Sequence, residues 1–276
     1  MYGIKTDDNG LLVNPLEKTL EYLKSEDEHH KLLYTVPDFQ NPAGMTLCAE
    51  RRKKIIELAR KYNVFILEDL PYRYLRFEGK MTDPMVKTDN CKNTIGLFSF
   101  SKVLSPGFRL GYIVANEEII NHMVVIKQSV DLCTSNFIQL ITNEFIKQNH
   151  YHAHVEKIKQ AYKKKKDTML KALGKYMPEG VTWTKPEGGM FLFVRLPQHM
   201  DADLMFPEAI KENVAYVVGS AFHCDQSGKN TMRLNFSFPT EEQIDEGIKR
   251  LASVIKKHWN DKTPHPTETE FAASRD

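Results

Sequence analysis

A continuous apolar run, Val64-Phe65-Ile66-Leu67, follows a stretch whose apolar residues recur at helical spacing. In that stretch, Leu47 to Tyr62, the residues Ile55, Leu58, Ala59 and Tyr62 share one face, and Arg51, Arg52, Lys53 and Lys54 lie on the other. An apolar segment from Lys31 to Val36 precedes it and stops at Pro37. Strand, helix and strand in this order make a βαβ unit, and that unit requires a parallel sheet. An unbroken apolar run marks a parallel strand covered on both faces, so Val64–Leu67 is expected to be buried on both sides. Thr94–Phe98 and Ile113–Ala115 add two short strands that are also expected to be buried, and a segment at Tyr2–Lys5 is a further candidate strand. Glu117–Val130 and Ser135–Gln148 read as helices.

A long helix begins near His150, with Val155, Ile158, Tyr162, Leu170 and Leu173 on one face, and ends around Gly174 and Pro178. Lys163–Lys166 is a charge run within it and reads as a solvated face. Beyond it the pattern changes to short strands at Val181–Thr184, Met190–Leu196, Ala215–Val218 and Met232–Ser237, with helices at Asp203–Glu212 and Glu241–Lys257. The chain thus reads as a large α/β domain over 1–150 and a small α/β domain over 151–260, the boundary falling within the long helix. A polar tail over 261–276 is expected to be disordered.

Bulk properties exclude several classes. The formal charge of +2 over 276 residues argues against a nucleic-acid or membrane surface as partner. The N-terminus lacks the apolar core of a signal peptide, so a cytoplasmic location is expected. The 4 cysteines have no CxxC spacing and read as reduced thiols, and the 10 histidines have no companions that complete a metal ligand set.

The chemistry concentrates in Ser99-Phe100-Ser101-Lys102-Val103-Leu104-Ser105-Pro106-Gly107-Phe108-Arg109. This cluster falls where a strand ends, the place where open α/β sheets collect ligands. A lysine there serves as an amine nucleophile once its surroundings lower its pKa. The hydroxyls of Ser99 and Ser101 and the guanidinium of Arg109 suit a phosphate dianion. Asp69 follows the Val64–Leu67 run. Its carboxylate suits a ribose hydroxyl, a magnesium ion or a protonated ring nitrogen, or it is a turn cap. Asn41-Pro42-Ala43-Gly44 is by itself a turn signal, and Tyr72 by itself a packing aromatic. Arg233, in the alternating Met232-Arg233-Leu234-Asn235-Phe236-Ser237, either meets a buried anion or pairs at the surface.

Taken together, these segments resemble the class I, fold-type I aminotransferases, in particular the 2-aminoadipate, kynurenine and aromatic aminotransferases. The resemblance covers nearly the whole chain and implies a pyridoxal 5'-phosphate enzyme. By it, Lys102 forms the internal aldimine, Ser99 and Arg109 hold the cofactor phosphate, and Ser101 is a further cofactor-binding residue. Asp69, in Glu68-Asp69-Leu70-Pro71-Tyr72, pairs with the pyridinium nitrogen, and Tyr72 and Asn41 bond the cofactor 3'-oxygen. Asn41 also lies near the substrate carboxylate, to which Arg233 makes a bidentate fork, and Gly188-Gly189 lets backbone approach the substrate. The implied reaction moves an amino group from an amino acid to a 2-oxo acid, and the implied full-length assembly is a homodimer.

The resemblance departs at the N-terminus. Members of the family usually begin well upstream, and that part carries further sheet strands, a phosphate-binding turn and a stacking aromatic. The expectation is therefore a partial large domain that binds the cofactor weakly. A lyase of the same fold and an inactive aminotransferase-like interaction or dimerisation module are the competing readings. A regulator fused to a winged helix is disfavoured, because no basic arm is present.

Overall fold

The computed structural model describes residues 1–26 and 32–259; Lys31 and the expected tail lie outside them. The chain divides into two compact units, one comprising Tyr2–Lys163 with Lys185–Met190, the other Lys164–Thr184 and the chain from Phe191.

In the first unit, β1 (Thr6–Asp7) and β2 (Gly10–Leu11) pair antiparallel and lead into α1 (Val13–Ser25). The sheet then forms from β3 (Leu32–Thr35), β4 (Phe65–Asp69), β5 (Thr94–Ser99) and β6 (Gly111–Val114), in that spatial order. β3, β4 and β5 are parallel, and β6 returns antiparallel to β5. α2 (Ala49–Lys61) is the crossover between β3 and β4, and the short α3 (Met85–Thr88) precedes β5. α4 (Glu117–Val130), α5 (Asn136–Lys147) and the first part of α6 (His150–Tyr176) follow. The βαβ unit read from the apolar pattern is present, with the expected connectivity. Tyr2–Lys5 forms no strand, and the pairing residues there are Thr6 and Asp7.

One face of this sheet carries the core. Leu16 and Leu20 of α1, Ile55, Leu58 and Ala59 of α2, and Ile66 of β4 form a single buried cluster, against which Leu33 packs. Side chains alternate along a strand, so Tyr34, Phe65, Leu67 and Asp69 point the other way. Phe65 is 39 % exposed and Tyr34 56 % exposed. The expectation of a β4 strand buried on both faces is therefore corrected. The described helices of this cluster cover only the Leu33–Ile66 side. β6 is corrected likewise: Tyr112, Ile113 and Val114 are exposed, as are Val124, Val125 and Ile126 on α4 and Phe137 and Leu140 on α5.

Two charge assignments also change. Arg52 is buried rather than solvated, because its guanidinium donates inward to the Pro37 and Leu47 carbonyls and to Asp38. Within the run on α6, Lys166 is 3 % exposed and pairs with Asp167, Lys163 pairs with Glu78, and Lys165 donates to the Ser237 and Phe238 carbonyls. A charge run on a helix longer than one turn cannot keep every member on one face, and here three of its lysines are committed to partners.

The second unit is a four-stranded antiparallel sheet, β7-β8-β10-β9. It is built from β7 (Thr182–Trp183), β8 (Phe191–Arg195), β9 (Val217–Val218) and β10 (Thr231–Asn235). α7 (Ala202–Lys211) is capped by Asp201, which accepts from the Asp203 and Leu204 amides. α8 (Glu241–Lys257) starts at Thr240 with a reciprocal Thr240–Gln243 capping box. Such caps satisfy amides that the helix itself leaves open. The inward residues Leu192, Val194, Met232 and Leu234 alternate along β8 and β10 and are buried. Among the described residues, no helix is long and apolar enough to cross a membrane.

Candidate active site

Three loops meet the carboxyl ends of the adjacent parallel strands β3, β4 and β5, and these loops carry Asn41, Asp69 with Tyr72, and Ser99–Lys102. That is the ligand-collecting end of an open α/β sheet.

Alternation at the end of β4 separates two carboxylates. Glu68 turns into the interior, is fully buried, and accepts from the Met85 and Val86 amides at 2.7 and 2.9 Å. Burial pushes its carboxyl above the usual range, while the two amides at the start of α3 and the nearby Arg52 pull it back. Asp69 turns to the open face, where the Tyr34 hydroxyl donates to its Oδ2 at 2.7 Å. Burial, and then the Asp69 bond, push the Tyr34 phenol well above its ordinary value. Glu68 is thus tied into the core, and Asp69 is the carboxylate presented at the strand end. The chain then turns: the Leu70 amide donates to the Leu97 carbonyl and the Leu75 amide to the Tyr72 carbonyl, which leaves Tyr72 7 % exposed.

After β3, the Asn41–Gly44 turn closes through the Gly44 amide on the Gln40 carbonyl at 2.6 Å, and Gly44 has a positive φ of 71°. A side chain there would be strained. Asn41 itself is exposed on this turn. A buried ionic knot fixes the turn to the Tyr72 loop. Asp38 accepts from Arg52 at 2.6 Å and from Arg73 at 3.1 Å, and Arg73 donates further to the Thr82 carbonyl. All three of these side chains are less than a tenth exposed. Asp38→Asn keeps the shape and removes the charge that both guanidinium groups share. Hydrogen bonds to charged groups are worth ~1.5–3 kcal/mol each, and an asparagine retains part of one. The expected loss is about 2 kcal/mol of unfolding free energy, read from chemical denaturation at unchanged denaturant slope.

Phe39, between Asp38 and the turn, is 1 % exposed and adopts φ 53°. The Arg76 guanidinium lies 4.8 Å from its ring centroid. Gly188 and Gly189 press on the same residue: a Cβ on Gly189 would sit 2.5 Å from the Phe39 Cβ, and one on Gly188 would meet the Phe39 ring and the Leu75 carbonyl. Within the protein, the close approach that this glycine pair allows is to Phe39 and Leu75. The pair also belongs to the first unit.

At the end of β5 the Ser101 amide donates to Ser99 Oγ at 3.1 Å, and the Phe100 amide to the Leu110 carbonyl. Val103 is 1 % exposed and packs with Leu75 and Val155 of α6. The turn is thus held by backbone bonds and by its apolar neighbour, and Lys102 is half-buried on it. Among the described residues the Lys102 ammonium makes no ion pair or hydrogen bond. Pro106–Phe108 forms one 3-10 turn, after which Arg109 takes the left-handed region at φ 49° and stays exposed, donating to the Pro106 carbonyl at 3.3 Å.

Arg233 lies in the second unit, on β10. Its guanidinium is flanked by Phe191 at 4.3 Å and Phe222 at 5.2 Å from the ring centroids. Aromatic faces hold a guanidinium plane in place. Phe222 belongs to Gly219-Ser220-Ala221-Phe222, a 3-10 turn tied down by Ser220 Oγ donating to Asp203 at 2.7 Å. Among the described residues, no group of histidine, cysteine and acidic side chains could hold a metal ion.

The structure brings Asn41, Asp69, Tyr72, Ser99, Ser101, Lys102 and Arg109 to the strand ends of one sheet. Tyr34, Asp38, Arg52 and Arg73 are participants that the sequence motifs do not flag. Tyr34 and Asp38 both precede Asn41 on the same strand-to-turn segment, and Tyr34 shares the outward side of β3 with Leu32.

Residues 3–251 match the family described as aminotransferase class I and II, and the chain belongs to that family. It is 47 % identical over 254 residues to the aromatic-amino-acid aminotransferase 1 of Thermococcus litoralis, covering 92 % of this chain and 61 % of that one. The crystal structure of a multiple substrate aminotransferase from Thermococcus profundus superposes with a TM-score of 0.91 at 46 % identity, over 94 % of this chain and 64 % of the other. The alpha-aminoadipate aminotransferase of Thermus thermophilus, solved in complex with N-(5'-phosphopyridoxyl)-L-leucine, gives a TM-score of 0.85 at 32 % identity, over 92 % of this chain and 64 % of that one. The chain thus spans a little over three fifths of the length of the relatives it matches. The fold is that of the type I aminotransferases over this partial length.

Proposed function

We propose that this chain carries the covalent anchor, the ring-nitrogen partner and part of the phosphate site of a pyridoxal-phosphate-dependent aminotransferase, acting between an amino acid and a 2-oxo acid. The observation that carries this reading is the donor set at one sheet end: an amine, two hydroxyls and a guanidinium after β5, a carboxylate and a phenol after β4, and an amide after β3. These seven groups suit the four polar sites of pyridoxal phosphate: the amine its aldehyde, the two hydroxyls and the guanidinium its phosphate, the carboxylate its ring nitrogen, and the phenol and amide its 3'-oxygen. The phosphopyridoxyl ligand of the Thermus relative supports the same cofactor. When bound, the cofactor supplies an electron sink that stabilises negative charge at the amino acid's α-carbon.

Each residue then has a task of its own. Lys102 Nζ would be the nucleophile that holds the cofactor's aldehyde carbon and, as a free amine, the base that moves the proton at the amino acid's α-carbon. Asp69 holds a negative charge where a protonated ring nitrogen needs one. Tyr72 and Asn41 bond the 3'-oxygen. Ser99, Ser101 and Arg109 neutralise and orient the phosphate. Arg233 takes the substrate carboxylate with its planar fork, flanked by two phenylalanine neighbours.

The test is covalent trapping. The full chain is mixed with pyridoxal phosphate, reduced with borohydride, digested and mapped. One label on the peptide that contains Lys102 is expected. A label spread over exposed lysines such as Lys80 and Lys92, with Lys102 unmodified, overturns the assignment.

A further inference from the structure

We propose that Tyr34 is a positioning residue for Asp69: by engaging one carboxylate oxygen it sets the direction in which the other is presented. This rests on the reading of Asp69 as the ring-nitrogen partner. The placement follows from strand register. Tyr34 pairs with Leu67 in the parallel β3–β4 ladder, and Asp69 lies two residues beyond Leu67 on the same face. The phenol therefore reaches along that face to the strand end, and its hydroxyl donates to Asp69 Oδ2 at 2.7 Å. An isolated aspartate at a strand end turns freely about its last torsion, which is broad and two-fold. A donor held on a neighbouring strand removes that freedom and leaves Oδ1 as the acceptor on offer. Second partners of this kind fix the orientation of functional carboxylates and imidazoles in general.

The hydroxyl stays protonated across the working range, since burial and the Asp69 charge both raise its pKa. Tyr72 adds in the same direction, so the Tyr34 hydroxyl senses the two side chains that the cofactor reading assigns to the ring. The plainer alternative is a packing tyrosine on an edge strand. More than half of Tyr34 is exposed, so loss of its hydroxyl leaves no core cavity, and Tyr34→Phe folds with an unchanged thermal midpoint under both views.

The experiment uses the full chain in two states. In the cofactor-free protein, labelled aspartate carboxyl carbons are observed by NMR. Tyr34→Phe is expected to move the Asp69 resonance and leave the other aspartates in place; an unmoved Asp69 resonance overturns the proposal whatever the cofactor does. With pyridoxal phosphate and amino acid present, Tyr34→Phe is expected to lower kcat about tenfold, which corresponds to ~1.4 kcal/mol, with KM changed less than about twofold. The same substitution made on top of Asp69→Asn is expected to cost nothing further, because the negative charge whose direction Tyr34 sets is gone, although the amide oxygen still accepts from the phenol. A full tenfold loss in that background, or a rise in KM alone, overturns the proposal. A moved Asp69 resonance in a chain whose Lys102 cannot be trapped by borohydride supports the Tyr34–Asp69 coupling and removes the cofactor reading instead.

Discussion

Lys102→Ala is expected to reduce transamination by the chain, assayed with saturating pyridoxal phosphate, by at least about 10⁴-fold. Positioned general bases contribute about 10²–10⁴ on their own, and in the proposed reading this substitution also removes the covalent anchor. The next lysine along the chain on the N-terminal side, Lys92, precedes β5, at the opposite end of that strand. The substitution is also structurally quiet. The turn that bears Lys102 is held by the Phe100 amide on the Leu110 carbonyl, the Leu104 amide on the Phe100 carbonyl and the burial of Val103, none of which involves the lysine side chain. Thermal unfolding of the variant is therefore expected to superpose on that of the unsubstituted chain. Loss of activity with loss of stability would point to a folding role, and residual activity within tenfold would show that another group moves the proton. A small primary amine in the assay is expected to restore part of the rate, because it replaces the missing base without the anchor.

The parts of the molecule that were legible in the sequence are those set by local periodicity. The apolar spacing of Ile55, Leu58 and Ala59 marks α2, the run at Val64–Leu67 marks β4, and their order dictates the parallel sheet. The strand-end position of Asp69 and Lys102 follows from the same pattern. What stayed hidden depends on register and on contacts between distant segments. Tyr34 meets Asp69 only because β3 and β4 pair in parallel with Tyr34 opposite Leu67. Arg52 looks like one more charge on a basic helix face, and its burial is intelligible only once the Pro37 and Leu47 carbonyls and Asp38 are seen to surround it. The exposure of Phe65 and of β6 was equally out of reach, since an apolar run says that a strand can be covered and not what covers it. α1, whose Leu16, Leu20 and Leu23 recur at helical spacing, starts after Leu12 with no side-chain cap, ahead of where Asn14-Pro15 would place its start.

Asp69→Asn is expected to lower kcat on the order of 10²–10³-fold while leaving cofactor affinity within about tenfold. The amide has the size and one acceptor of the carboxylate, so the Tyr34 hydroxyl keeps a partner and the end of β4 keeps its shape. What disappears is a fixed negative charge aimed where positive charge must persist during the reaction. Removing one preorganised electrostatic partner of this type typically costs ~2.7–4 kcal/mol of transition-state stabilisation. In the proposed reading, ground-state binding rests mainly on other groups, namely Lys102 and the Ser99, Ser101 and Arg109 set, which sit at a different strand end and are untouched. The two effects therefore separate: kcat falls, and the concentration of pyridoxal phosphate needed for half-saturation barely moves. Glu68→Gln provides the contrast within the same dipeptide. Glu68 is buried beneath the sheet and accepts from the Met85 and Val86 amides, so its amide variant is expected to lose stability and retain kcat in the folded fraction. If Asp69→Asn instead weakened cofactor binding and spared turnover, or if Glu68→Gln carried the kinetic loss, the alternation that assigns one carboxylate to the core and the other to the chemistry would have to be reversed.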